Sequence, residues 1–165
     1  MTKVTFNNNP VTLLGEEIKV GDQAPDFTVL ANDLSEKTLA DFQGKTKIIS
    51  VVPSIDTGVC SKQTKRFNEE ADSLDNVHIV TISMDLPFAQ ARWCAEEGVK
   101  NIDVLSDHRD ADFGEKYGTL IKELRLNTRA IFVVDKNDKV IYTEYVPEVT
   151  THPNYDAALK AAKEA

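Results

Sequence analysis

KIISVVPSIDTGVC, residues 47–60, holds a strand, a loop and the start of a helix in fourteen positions. Residues 47–52, Lys-Ile-Ile-Ser-Val-Val, are rich in β-branched side chains and too short for a helix. Such a run reads as a strand buried on both faces of a sheet. Pro53 ends it, because proline has no N–H to give to a ladder. A loop follows at 54–57, and a helix is expected from about Gly58 to 74. Phe67, Ala71 and Leu74 lie at i, i+4 and i+7 there, on one apolar stripe. In an α/β sheet, ligands sit outside the carboxyl ends of the strands, where helix N-termini point. Cys60 falls in the first turn of this helix.

The flanking sequence repeats the pattern. Residues 4–6 and 11–14, around Asn7-Asn-Asn-Pro10, read as a β-hairpin. Gly21 to Pro25 is a loop, and 27–30 a short strand. Residues 38–44 read as a helical turn or a tight loop. Residues 77–83 are the next strand. Asp85 is placed as an N-cap, Pro87 near the first helical position and Gly98 as the stop, so 86–97 is a short helix carrying Cys94. Residues 102–105 form a strand and 110–117 a helix. Residues 130–134 and 140–145 form a second hairpin, and 155–163 a terminal helix. The order hairpin, βαβαβα, ββα predicts an α/β sandwich with a central mixed β-sheet flanked by helices. No repeat, linker or low-complexity tract interrupts it, so residues 1–165 read as one domain.

Composition narrows the function. The chain has 165 residues, 41% hydrophobic and 28% charged, as a globular domain should. Its net charge is -8, and its bases alternate with acids, as in Lys62 to Arg66 followed by Glu69-Glu70. That is a solvated helix face, so no nucleic-acid partner is expected. No apolar run approaches the roughly 20 residues of a membrane span. MTKVTFNNNP has no apolar core of a secretory signal, and the cytoplasm is the expected location.

Two cysteines, Cys60 and Cys94, stand 34 positions apart. Neither belongs to a CxxC, and His78, His108 and His152 are scattered, so neither a zinc site nor a thioredoxin-type dithiol is predicted. No metal or other cofactor is expected. At a helix start, unpaired N–H groups favour negative charge, and a thiolate placed there is the reactive form. Free cysteine is equally at home in a core. On these residues alone, Cys60 stands evenly between packing and chemistry.

Pro53-Ser-Ile-Asp-Thr-Gly-Val-Cys60 resembles the peroxiredoxin signature Pro-x-x-x-Thr-x-x-Cys, in the form found in the thiol peroxidase (atypical two-cysteine) branch. Ser83-Met-Asp-Leu-Pro-Phe-Ala-Gln-Ala-Arg-Trp-Cys94 is similar to the segment that holds that branch's resolving cysteine, with Trp93 where phenylalanine is commoner. The N-terminal hairpin, the GDxAPDF loop and the terminal ββα also fit, so the likeness covers nearly the whole chain.

The resemblance implies a thioredoxin-like fold and a peroxidase acting on hydrogen peroxide and organic hydroperoxides. Cys60 would be the peroxidatic cysteine and Cys94 the resolving one, closing an intramolecular disulfide. Thr57 would clamp the peroxide, Pro53 would wall the pocket, and Arg129, just before the strand at 130–134, would stabilise charge. Arg125 is the neighbouring alternative. Thioredoxin is the reductant and a homodimer the assembly that the family implies. A disulfide needs Cα atoms within about 7 Å, so with the cysteines on different helices at least one helix must unwind locally. Asp56 suits a loop role better than catalysis, since an acid beside a thiolate opposes it. The serines lack a GxSxG elbow. Phe88, Trp93, Leu120 and Ile121 read foremost as core. The rival classes are a redox-sensing interaction protein and a non-redox hydrolase.

Overall fold

The computed structural model describes residues 3–165. In chain order the strands and helices are β1 (Val4–Phe6), β2 (Asn9–Val11), β3 (Leu13–Leu14), β4 (Thr28–Leu30), β5 (Glu36–Thr38), β6 (Thr46–Val51), α1 (Gly58–Ala71), β7 (Val77–Ser83), α2 (Pro87–Glu97), β8 (Asp103–Ser106), α3 (Asp112–Lys116), β9 (Leu120–Ile121), β10 (Leu126–Asn127), β11 (Ala130–Val134), β12 (Val140–Tyr145) and α4 (Tyr155–Lys163). A 3-10 turn, Leu39–Phe42, precedes β6. The main sheet runs β12-β11-β6-β7-β8-β4-β5. β6, β7 and β8 are parallel, and β11 and β12 add antiparallel strands on one side. This is the expected thioredoxin-like mixed sheet, with the N-terminal hairpin β1-β2 beside it.

Every residue of β6 is buried, as a strand covered on both faces requires. Alternation then divides the core. Ile48 faces α1 and α4, in a cluster with Phe67, Ile79, Ile131 and Leu159. Ile49 and Val51 face the opposite layer, with Phe27, Phe113, Tyr117 and Phe132. Aromatic rings stack or meet edge to face there, Phe113 on Tyr117 at 4.2 Å between centroids. Val52 and Ile55, just past β6, join Cys60, Trp93, Val99 and Val104 in a third cluster, roofed by α2.

Four local readings need correction. The N-terminal turn is Asn7-Asn8 alone, both at positive φ (51° and 66°), and Asn9 and Pro10 already belong to β2. Two asparagines in the left-handed region make the tight turn a hairpin favours. α1 stops at Ala71 because the chain tightens into i+3 bonds, Ser73 N to Glu70 O and Leu74 N to Ala71 O. Leu74 stays buried, so the stripe holds and only the boundary moves. α3 starts at Asp112 rather than 110. The carboxylate that serves its N-terminus is Asp107, which accepts from Phe113 N and Gly114 N. β5 and the small sheet β10-β9-β3 are additions, since strands of two or three residues are too short to show alternation.

Candidate active site

β6 delivers Pro53 to the carboxyl edge of the sheet, and the loop 53–57 turns the chain into α1. Thr57 is the N-cap residue, and Ser61 N donates to its carbonyl at 2.9 Å. Cys60 is therefore the third helical residue, in the first turn as expected. Its side chain is fully buried. The buried stripe of α1 is Cys60, Gln63, Thr64 and Phe67. The apolar stripe read from sequence thus runs backward through two polar residues to the thiol. A glutamine and a threonine on a buried stripe were the signal that could have marked Gln63.

Arg129 precedes β11, the strand beside β6, and reaches across to Cys60. Its guanidinium spends every nitrogen inside the protein. Nη2 lies 3.2 Å from Cys60 Sγ, Nη1 donates to Gln63 Oε1 at 2.9 Å, and Nε donates to Val149 O at 2.8 Å. Gln63 in turn donates from Nε2 to Ser50 Oγ at 2.7 Å. Arg129 is only 2% exposed. A cation that deep needs each of these acceptors. Arg125 is exposed in the turn between β9 and β10 and takes no part in this network.

A cavity of about 240 Å³ opens in front of this group. Phe6, Pro53, Val59 and Val149 make its apolar wall, with Thr57 and Arg129 also lining it. Pro53, Thr57 and Arg129 are thus gathered on one pocket, and Cys60 lies behind it, bonded to Arg129. Thr57 donates its hydroxyl to Ser54 O at 3.2 Å. Phe6 and Val149 are lining residues that no short motif marks, because they come from the N-terminal hairpin and the turn after β12.

Cys94 sits near the end of α2 and packs against the apolar cluster that contains Cys60. Both cysteines are free thiols. Burial pushes the Cys94 thiol above its ordinary value, and a hydrogen bond from Asn32 offsets this only in part. Cys94 also borders a separate, open cavity of about 380 Å³ with Asn32, Lys37 and Lys100. The remaining candidates separate cleanly. Leu120, Ile121 and Trp93 are buried core, whereas Phe88 is 66% exposed. Asp56 is exposed, with its nearest counter-charge Arg92 at 3.8 Å. Asp85 does not cap α2. The N-cap is Leu86, without a side-chain bond, and the Asp85 carboxylate instead accepts from Ser54 and Ile55. His78 pairs with Asp103 and stacks on Phe42, away from the thiols. Among the described residues, no cluster of three His, Cys, Asp or Glu side chains could hold a metal.

Comparison with known proteins agrees with this geometry. The redoxin family profile matches residues 19–159. The chain is 69% identical over 159 residues to a thiol peroxidase of Oceanobacillus iheyensis, covering 96% of this chain and 97% of that one. It is 63% identical over 163 residues to a thiol peroxidase of Bacillus subtilis, covering 99% and 98%. Among solved structures, a peroxiredoxin-like protein from Aquifex aeolicus superposes with a TM-score of 0.93 at 44% identity, covering 99% of this chain and 97% of that one.

Proposed function

The chain belongs to the redoxin family as a peroxiredoxin of the thiol peroxidase type, and from that premise we propose that Cys60 reduces the peroxide and Cys94 resolves it. Peroxide reduction by a thiol is the activity of the family. The contact of Arg129 Nη2 with Cys60 Sγ, behind the Pro53–Thr57 pocket, carries the assignment of residues.

In the first step the Cys60 thiolate attacks the terminal, hydrogen-bearing oxygen of the hydroperoxide. An S–O bond forms and the O–O bond breaks. Sulfur is oxidised to sulfenic acid, and the departing oxygen takes a proton to leave as water or an alcohol. Arg129 faces the sulfur with one N–H, so it stabilises the thiolate and the charge on the leaving oxygen. Gln63 and the Val149 carbonyl hold the guanidinium in that pose. Thr57 turns its hydroxyl from Ser54 O to the peroxide and aligns the O–O bond. Pro53 keeps one wall free of N–H donors. The largely apolar lining suits the carbon arm of an organic hydroperoxide as well as hydrogen peroxide.

In the second step the Cys94 sulfur attacks the sulfenic sulfur, a disulfide forms and water leaves. A dithiol protein then reduces the disulfide by exchange. We assign that role to thioredoxin, the usual reductant of the family, with a homodimer of single-domain chains, residues 1–165, as the working form. The cytoplasm, where such a reductant is kept reduced, is the proposed location. No helix among the described residues is long and apolar enough to cross a membrane.

Cys60→Ser should abolish peroxide consumption. Cys94→Ser should allow one stoichiometric turnover and then lose recycling by thioredoxin. Undiminished steady-state activity in Cys60→Ser would falsify the assignment.

A further inference from the structure

Asp85 stands where the two cysteine segments meet. It lies just past β7 and two residues before α2 begins at Pro87. Its carboxylate accepts from Ser54 Oγ at 2.6 Å and from Ile55 N at 2.8 Å, both in the loop that leads to Cys60. It also accepts from Ser83 Oγ at 2.5 Å, at the end of its own strand. The Ser83 hydroxyl in turn receives a bond from Gln90 Nε2 at 3.0 Å, inside α2. The Asp85 carbonyl accepts from Ser106 Oγ at the end of β8. One residue therefore ties the carboxyl ends of β7 and β8 to the loop before α1 and, through Ser83, to Gln90 in α2.

The consequence for the peroxide pocket is direct. Ser54 O receives both Thr57 N and Thr57 Oγ1, each at 3.2 Å. Thr57 is thus placed by Ser54, and Ser54 is placed by Asp85. Ile55 is anchored in the apolar cluster, but Asp56, Thr57 and Gly58 are exposed, so Thr57 depends on its bonds to Ser54 O. Asp85 touches neither sulfur.

We propose that Asp85 is a positioning residue that latches the loop 53–57 to the start of the Cys94 helix, and so favours peroxide reduction over disulfide closure. This rests on the reading of Cys60 as the peroxidatic residue. With the latch closed, Thr57 and the first turn of α1 are held for attack, and α2 is held folded. Opening it loosens both. The sulfenic acid has two fates that the latch weighs against each other. Condensation with the Cys94 thiol gives the disulfide and water. A second peroxide instead gives sulfinic acid and one more molecule of water or alcohol.

The test measures the two steps separately in full-length wild type, Asp85→Asn, Asp85→Ala and Ser54→Ala. Rapid mixing with hydrogen peroxide gives the rate of Cys60 oxidation and the rate of disulfide formation. Mass spectrometry gives the peroxide concentration at which half of Cys60 becomes sulfinic acid. Cys60 oxidation should slow by about tenfold or more in the Asp85 variants, since misplacement by about 1 Å can cost a hundredfold. Disulfide formation should be as fast or faster, and the sulfinic threshold should rise. Ser54→Ala should move both in the same direction by less. Loosened packing alone would lower the melting temperature without changing this partition. Oxidation within about twofold of wild type in folded Asp85→Asn, or both steps slowed in one proportion, overturns the proposal. If Asp85→Ala fails to fold, Asp85→Asn and Ser54→Ala decide it. A wild type that forms no sulfenic acid at Cys60 overturns the reading of Cys60 itself, and this inference with it.

Discussion

Gln63 is the side chain whose worth is easiest to underrate. It contacts no sulfur, yet it takes Arg129 Nη1 at 2.9 Å and passes a bond on to Ser50 at 2.7 Å. Hydrogen bonds to a charged group are worth about 1.5–3 kcal/mol. Gln63→Met keeps the volume but strands one face of a buried guanidinium. It should destabilise the fold by about 1–3 kcal/mol in urea unfolding. It should also slow Cys60 oxidation under stopped flow, because the guanidinium is free to swing from the sulfur. An unchanged oxidation rate in the folded variant would mean that Val149 O alone aims Arg129. The family resemblance pointed to this arginine, but not to its partners. Gln63 is brought to it by the pitch of α1, and Val149 by the turn after β12.

Cys60 lies in the first turn of α1 and Cys94 in the last turn of α2. α1 and α2 both begin without a side-chain cap. α2 has 11 residues, short for a helix to persist without packing. Cys94 O accepts from both Gly98 N and Val99 N, a glycine-closed helix end whose bonds must be given up when α2 unwinds. Folded Cys94 is also a weak nucleophile, since burial holds its thiol above the ordinary value. Unwinding exposes it and restores ordinary acidity in the same motion. Hydrogen exchange should therefore show lower protection over 58–65 and 88–97 in the disulfide form than in the dithiol form. Identical protection in both forms would leave the cysteines no route to each other by unwinding. Of the element boundaries that the sequence misplaced, the end of α1 at 72–74 is set by its own tightened bonds, and the start of α3 at 110–111 by a carboxylate outside the helix. Asp107 is that carboxylate, five residues before the helix it serves.

Across the molecule, the pocket is closed by segments from both ends of the chain, Phe6 on one side and Val149 and Thr150 on the other. Glu148 fastens the N-terminal hairpin to the turn 148–150 that supplies Val149 and Thr150 to the pocket. It accepts from Thr5 Oγ1 at 2.8 Å, Asn8 N at 2.7 Å, and both Thr150 N and Thr150 Oγ1. Thr5 N to Pro147 O and Val149 N to Thr5 O complete the seam. These donors, Thr150 first, lower the Glu148 carboxyl from its ordinary 4.5 to about 2. A depressed carboxyl stabilises the fold above its unfolded value and loses that contribution as pH falls through the folded one. Wild type should thus melt above Glu148→Gln near pH 6, and the gap should narrow between about pH 4.5 and 2. Glu148 is partly exposed, so the gap should be small and reduced by salt. A gap independent of pH in this window would show that the bonds hold without charge.

Much of this protein was legible in one dimension. Strands 47–52 and 77–83, the helix start at Gly58 and the two cysteine motifs are local facts. They follow from β-branched runs, proline and glycine stops, and a short signature, all set by neighbours in the chain. Pro53, Thr57 and Cys60 could be named from that signature, and Arg129 from the family resemblance. The three-acceptor cradle of Arg129, the hairpin wall with Phe6, and the Asp85 latch could not. These join residues from 20 to 143 positions apart, as Arg129 to Val149 or Thr5 to Glu148. Hydrophobic periodicity places a side chain on a face, but it carries no record of which polar atom waits across the sheet. That pairing is decided only when strand order and register bring the buried donors and acceptors within reach, since a polar group taken from water must be met there or the fold pays for it.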